Sequence, residues 1–121
     1  MAKVWVIKEQ MLRTDTGSVA MDYSPAMRYG DLEFITKFDL PTYGRGTTMD
    51  AWEEDVKRFV ATYDEMNDFI VATGQPASIF AVGAALGAAR KVPRFLAWRR
   101  ESSDYRPVHM DPDFLSAVST V

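Results

Sequence analysis

The sequence predicts an α/β fold: a small mixed sheet with a parallel core, two main helices and a C-terminal antiparallel hairpin. Three observations carry this. Short β-branched or aromatic segments alternate with two longer stretches of helical periodicity, the order that builds a parallel sheet with right-handed crossovers. The last two apolar segments are separated only by Glu101-Ser102-Ser103-Asp104, which suits an antiparallel return. The chain of 121 residues is 47% apolar and 26% charged, the size and composition of one ordinary domain spanning residues 1–121.

Each element has a local reason. Residues 3–9 alternate around Val4, Val6 and Ile7 and read as a strand. Thr14-Asp15-Thr16-Gly17 is a turn, with Asp and Gly supplying a local hydrogen bond and a positive φ, so residues 18–23 return as the second arm of a hairpin. Ser24-Pro25 starts a single helical turn, with Ser24 as its cap, and Gly30 stops it. Residues 32–36 are the next strand. Residues 39–48, with Pro41, Gly44 and Gly46, form the clearest loop. Thr47 or Thr48 caps a helix over 49–66, whose Trp52, Val56, Phe59, Val60, Tyr63 and Met66 fall at helical spacing. Residues 68–72 form a strand, broken by Thr73-Gly74-Gln75-Pro76. Residues 77–90 form a second, Ala- and Gly-rich helix. Residues 94–98 and 105–110 are the closing hairpin, and 114–118 is a last apolar segment. The expected core is Val4, Val6, Phe34, Ile35, Val56, Phe59, Val60, Ile70, Val71, Phe80, Val82, Leu86, Phe95 and Leu96.

Composition excludes several classes of function. With no cysteine there is no disulfide, thiolate metal site or thiol nucleophile, and the single His109 leaves no multi-histidine site. No metal and no cofactor is expected. A net charge of −3 argues against a general nucleic-acid coat or a binder of anionic membranes. No apolar stretch approaches the roughly 18–20 residues of a membrane span, and the first residues lack the apolar region of a signal peptide. A cytoplasmic location is expected.

Two stretches are candidate ligand sites. Thr73, Gly74, Gln75 and Ser78 lie where a strand's carboxyl end meets a helix N-terminus, a place that favours anions. Neither dinucleotide nor P-loop spacing is present, and the plainer reading of the same stretch is a tight strand-to-helix turn with Pro76 at the first helical position. Arg45, within Tyr43-Gly44-Arg45-Gly46-Thr47-Thr48, is placed to reach an anion from a glycine-hinged loop on the same side of the sheet; the alternative is a plain crossover loop. The candidate partner site is Trp98, Arg99 and Arg100 with Tyr105 and Arg106. Aromatics beside arginines stack on bases and pair with phosphates, or the charges simply block edge pairing. Arg99 and Arg100 are expected as successive strand residues on opposite faces. Residues 90–106 are locally +4 and residues 50–68 locally −5, a pattern that steers association when the two regions form separate faces. Gly83 and Gly87 are expected to let their helix lie close on the sheet or on the first helix. His109 has no acid or nucleophile at triad spacing.

The turn Ser24-Pro25-Ala26-Met27-Arg28-Tyr29-Gly30, the segment Ile70-Val71-Ala72-Thr73-Gly74-Gln75-Pro76, the small-residue helix, and Leu96-Ala97-Trp98-Arg99-Arg100 with Tyr105-Arg106-Pro107-Val108 together resemble small α/β proteins encoded by bacteriophages and prophages, whose function is unassigned. The similarity runs from about residue 21 to 110. It departs from that group at Gln75 and Arg99, where an acid is common. The resemblance implies a phage origin and an intracellular location, and it carries over no catalytic residue.

The expected function is a non-enzymatic small binding protein acting on a host or phage macromolecule. A protein partner or self-association is favoured over nucleic acid, and no membrane partner is expected. One alternative is a nucleotide- or phosphometabolite-binding protein, or a hydrolase, using residues 73–78. Another is an oligomer whose assembly is itself the function.

Overall fold

The computed structural model describes residues 2–41 and 46–121. Its main sheet has five strands in the order β4-β1-β5-β6-β7: β1 Lys3–Val6, β4 Asp31–Phe34, β5 Phe69–Val71, β6 Phe95–Arg99 and β7 Asp104–Val108. The β4, β1, β5 and β6 strands are mutually parallel, and β7 closes one edge antiparallel. This is the mixed α/β architecture expected, with two main helices, α1 Thr47–Thr62 and α2 Pro76–Ala88. A separate antiparallel ribbon, β2 Met11–Thr14 and β3 Gly17–Ala20, turns at Asp15-Thr16 and is exposed along its whole length. A 3₁₀ helix, Ser24–Tyr29, leads into β4.

The layering follows from crossover handedness. The chain moves outward from β1 to β4 and then back across β1 to β5. Two right-handed crossovers running in opposite directions must lie on opposite faces. They do. Trp52, Val56, Phe59 and Tyr63 of α1, with Val82 and Leu86 of α2, pack on Trp5, Ile7 and Ile70 to form one core. Tyr23 and Ala26, at the 3₁₀ helix, pack on Val4, Val6, Phe69 and Leu96 to form the other. Phe59 meets Trp5 edge-on at 5.0 Å. Among the described residues the second face is covered by the short 3₁₀ helix and the segment that leads into it.

Several expectations are corrected. Phe34 ends the edge strand and is 40% exposed, and Phe80 is 81% exposed, so neither belongs to the core. Gly83 and Gly87 approach nothing: a Cβ at either would meet no atom within 4 Å. The inward face of α2 is set by Ile79, Val82 and Leu86, with Ala81 and Ala85 packed beside them, which leaves Ala77, Ala84, Gly87 and Ala88 outside. Ser24 is not a cap, since Tyr23 holds that position without a side-chain bond, and neither Thr47 nor Thr48 caps α1, which begins after Gly46. Gly30 does stop its helix, at φ +156°, with Ala2 O only 2.6 Å from where a Cβ would stand. Residues 112–118 form a third helix, α3 Pro112–Val118, started by Asp111, whose side chain accepts the Asp113 N–H; none of its residues is buried.

Candidate functional site

The turn after β5 is built as expected but is largely occupied by the chain itself. The Gln75 amide pairs with one residue in the manner of a strand: Oε1 accepts Leu40 N–H at 2.8 Å and Nε2 donates to Leu40 O at 2.9 Å. Ser78, buried at the start of α2, donates its hydroxyl to the same Oε1. Gln75 and Ser78 therefore pin the strap after β4 against the N-terminus of α2. Gly74 holds φ +109° beneath the Gln10 amide, which lies 2.6 Å from a notional Cβ. Gln10 thus fills the crevice beside β1 and β5, where the strand order reverses. Arg45 lies outside the described residues.

The β6–β7 hairpin divides the second candidate by its pleat. Trp98 pairs with Tyr105 and Arg99 with Asp104, so side chains alternate between faces. Trp98 and Tyr105 stand on the face of the 3₁₀ helix, ring centroids 5.0 Å apart and 69° between planes. Arg99 and Arg106 fall on the opposite face, which separates the cations from the stacking rings. Arg100 is not a strand residue, because β6 ends at Arg99. Asp104 offsets part of the positive charge: Arg106 Nε lies 3.6 Å and Arg28 Nη2 3.4 Å from its Oδ2. Its carboxyl is held below the ordinary range, chiefly by the Ser102 hydroxyl that donates to it, with Arg106, Arg28 and Arg99 nearby.

The acidic and basic segments meet at one end. Lys91 Nζ donates to Val60 O and Tyr63 O at the C-terminal end of α1. Glu65 accepts Val92 N–H, and Arg94 donates to Met66 O. Part of each segment is spent on the other.

Two features remain open to a partner. One is a cavity of about 420 Å³ on the 3₁₀ face, lined by Leu12, Met21, Asp22, Thr73, Trp98 and Tyr105. It brings together Thr73 from the first candidate and the Trp98–Tyr105 pair from the second. Leu12, Met21 and Asp22 come from the ribbon and the segment after it, whose approach nothing local in the sequence announces. The other is the outer face of α2. Ala77, Phe80, Ala84, Gly87 and Ala88 are exposed there, and no charged residue occurs between positions 76 and 89. A helix apolar all round normally lies buried, and here one side has no cover among the described residues. Beside it, a groove of about 540 Å³ runs between α1 and α2, with Val56, Val60, Ala85 and Ala88 in its walls and Glu53 and Lys57 at its margin. Trp52, 6% exposed, also lines it, and its indole N–H has no acceptor among the described residues.

A further cluster, not singled out in the sequence, ties the strap to α1. Buried Thr36 donates to Asp55 Oδ2 at 2.9 Å and accepts Phe38 N–H, while Arg58 pairs with Asp55 at 3.3 Å.

The model of the Phage Pam3 gp32-like protein family matches residues 2–112. The chain belongs to that family. The match takes in both cores, the α2 face and the hairpin, and it bears out the phage resemblance drawn from the turn at 24–30 and the segment at 70–76. No curated protein and no solved structure matches the chain. Among the described residues, no helix is long and apolar enough to cross a membrane.

Proposed function

We propose that this phage-family protein is a non-enzymatic binding protein of the host cytoplasm that works as a self-associated pair, joined through the outer faces of α2. The observation that carries this is Phe80, 81% exposed at the centre of an uncharged helix face. Contiguous exposed apolar surface of this kind marks protein interfaces. Burying one Phe side chain contributes roughly 1.5–3 kcal/mol.

A second copy is the occupant that the face fits best, for two reasons. The first is shape. A two-fold axis near Ala84 places Phe80 of one copy against Gly87 and Ala88 of the other, where small side chains leave room beside the groove floored by Ala85 and Ala88. The second is charge. Helices α1 and α2 each return between parallel strands and so run in the same direction. Asp50, Glu53 and Glu54 stand at the N-terminal end, and at the C-terminal end Arg90 and Lys91 stand with Asp64 and Glu65, so the side chains there largely offset one another. Antiparallel pairing brings the unlike ends of the helix dipoles together. The β6–β7 hairpins stay outside this contact, two per assembly, for a macromolecular target.

Sedimentation velocity over a micromolar to sub-millimolar range tests the reading. The wild type sediments as a dimer at the upper end and Phe80→Glu as a monomer of unchanged circular dichroism. A wild type that stays monomeric throughout would overturn it.

A further inference from the structure

We propose that the cavity between Thr73 and the Trp98–Tyr105 pair binds a flat aromatic group carrying a protonated amine or other N–H donors. This rests on different residues from the α2 contact and stands apart from it. The cavity opens near the carboxyl ends of the parallel strands β5 and β6, where α/β sheets place their ligands. Its volume, about 420 Å³, lies within the span of small-molecule sites.

The walls are specific. Trp98 is 48% exposed and edge-on to Tyr105, so one indole face is available to a second ring. Leu12 and Met21 supply apolar contact from the ribbon side. One hydroxyl is unspent. Thr73 Oγ1 is buried with no hydrogen-bond partner among the described residues. Tyr105, 3% exposed, supplies the ring against which Trp98 is set. A buried hydroxyl left unpaired is costly, and a ligand donor or acceptor relieves that cost. Asp22 gives the cavity its sign. It accepts Ser24 N–H at 2.9 Å, and this bond keeps its carboxyl ionised to lower pH than usual. Among the described residues, no cationic side chain lines the cavity. An aromatic ring with a positive, donor-rich end satisfies all of these groups, whereas an aromatic acid meets only repulsion at Asp22.

The test uses two probes with one ring and opposite charge, tyramine and 3-(4-hydroxyphenyl)propionate, titrated against the ¹⁵N-labelled full chain. Tyramine should shift the Trp98 indole N–H and the Thr73 amide together, saturating with a Kd in the range of about 0.1–5 mM. The propionate should shift neither. Thr73→Val removes one unpaired hydroxyl at constant shape; it should melt no lower than wild type and bind tyramine at least about fivefold more weakly. Asp22→Asn should weaken tyramine by about threefold, the effect of one exposed charge, and narrow the gap between the probes. Absence of shifts at Trp98 and Thr73 with tyramine at about ten times the weakest of those values would overturn the proposal. So would equal binding of the two probes, or wild-type affinity in Thr73→Val.

Discussion

Asp68 is buried at the entry to β5 and accepts three hydrogen bonds: from Lys3 N–H at 2.9 Å, the Trp5 indole N–H at 3.1 Å and Asp64 N–H at 3.0 Å. It fixes the start of β1 against the end of the α1–β5 connection. Asp68→Ala strands all three donors, so it should lower unfolding free energy by about 2–4 kcal/mol in urea titration; a loss under about 1 kcal/mol would show that the bonds are replaced by water. This role was not legible in the sequence, because two of the partners lie 65 and 63 residues away. Gly30 was legible through its local reason, a helix that must stop and a φ that glycine tolerates best, whereas the close approach of Ala2 O was not. The candidate site divides in the same way. Thr73 was found from its place after a strand, whereas Asp22 and Leu12 enter the cavity only through the docking of the ribbon.

At the scale of elements, periodicity gives α1 and its buried stripe of Trp52, Val56, Phe59 and Tyr63 but not its end, since the helix stops at Thr62 rather than at residue 66 and Met66 is 77% exposed. Helix α2 has no such contrast. Apolar on every side, it gives no sign of which side faces out, and the sequence alone therefore places Phe80 in the core. The pleat of β6 and β7 was legible as alternation, but the length of β6 was not, and a strand ending at Arg99 moves Arg100 into the turn. The C-terminal end of α1 depends on another element altogether. Lys91, just after α2, donates to Val60 O at 2.6 Å and Tyr63 O at 2.9 Å, carbonyls with no helical partner of their own. Lys91→Met keeps the aliphatic stem and removes the charge. It should destabilise the fold by about 1–3 kcal/mol and speed hydrogen exchange in the last turn of α1 more than in α2. Uniform exchange in both helices would refute the assignment.

At the scale of the molecule, two tyrosines set the alkaline limit. Burial raises the Tyr63 phenol above its ordinary 10.0, against the lowering effect of the Arg94 N–H that it accepts; burial likewise raises Tyr105. Their folded-state values exceed the unfolded ones, so the stability they contribute is complete below pH about 10 and falls as pH rises through the higher native values. Urea midpoints should hold from neutral pH to about 10 and then drop, less steeply in Tyr63→Phe; an equally steep drop in that variant would assign the loss elsewhere. The central claim, that two copies meet antiparallel across α2, is tested most directly by the absence of native cysteine. A two-fold axis near Ala84 brings residue 84 of each copy together and holds residue 77 away from its own counterpart. Under mild oxidation, Ala84→Cys should form a disulfide-linked dimer far faster than Ala77→Cys or Ser102→Cys in the exposed hairpin turn. Cross-linking of Ala84→Cys no faster than of those two controls would contradict the account.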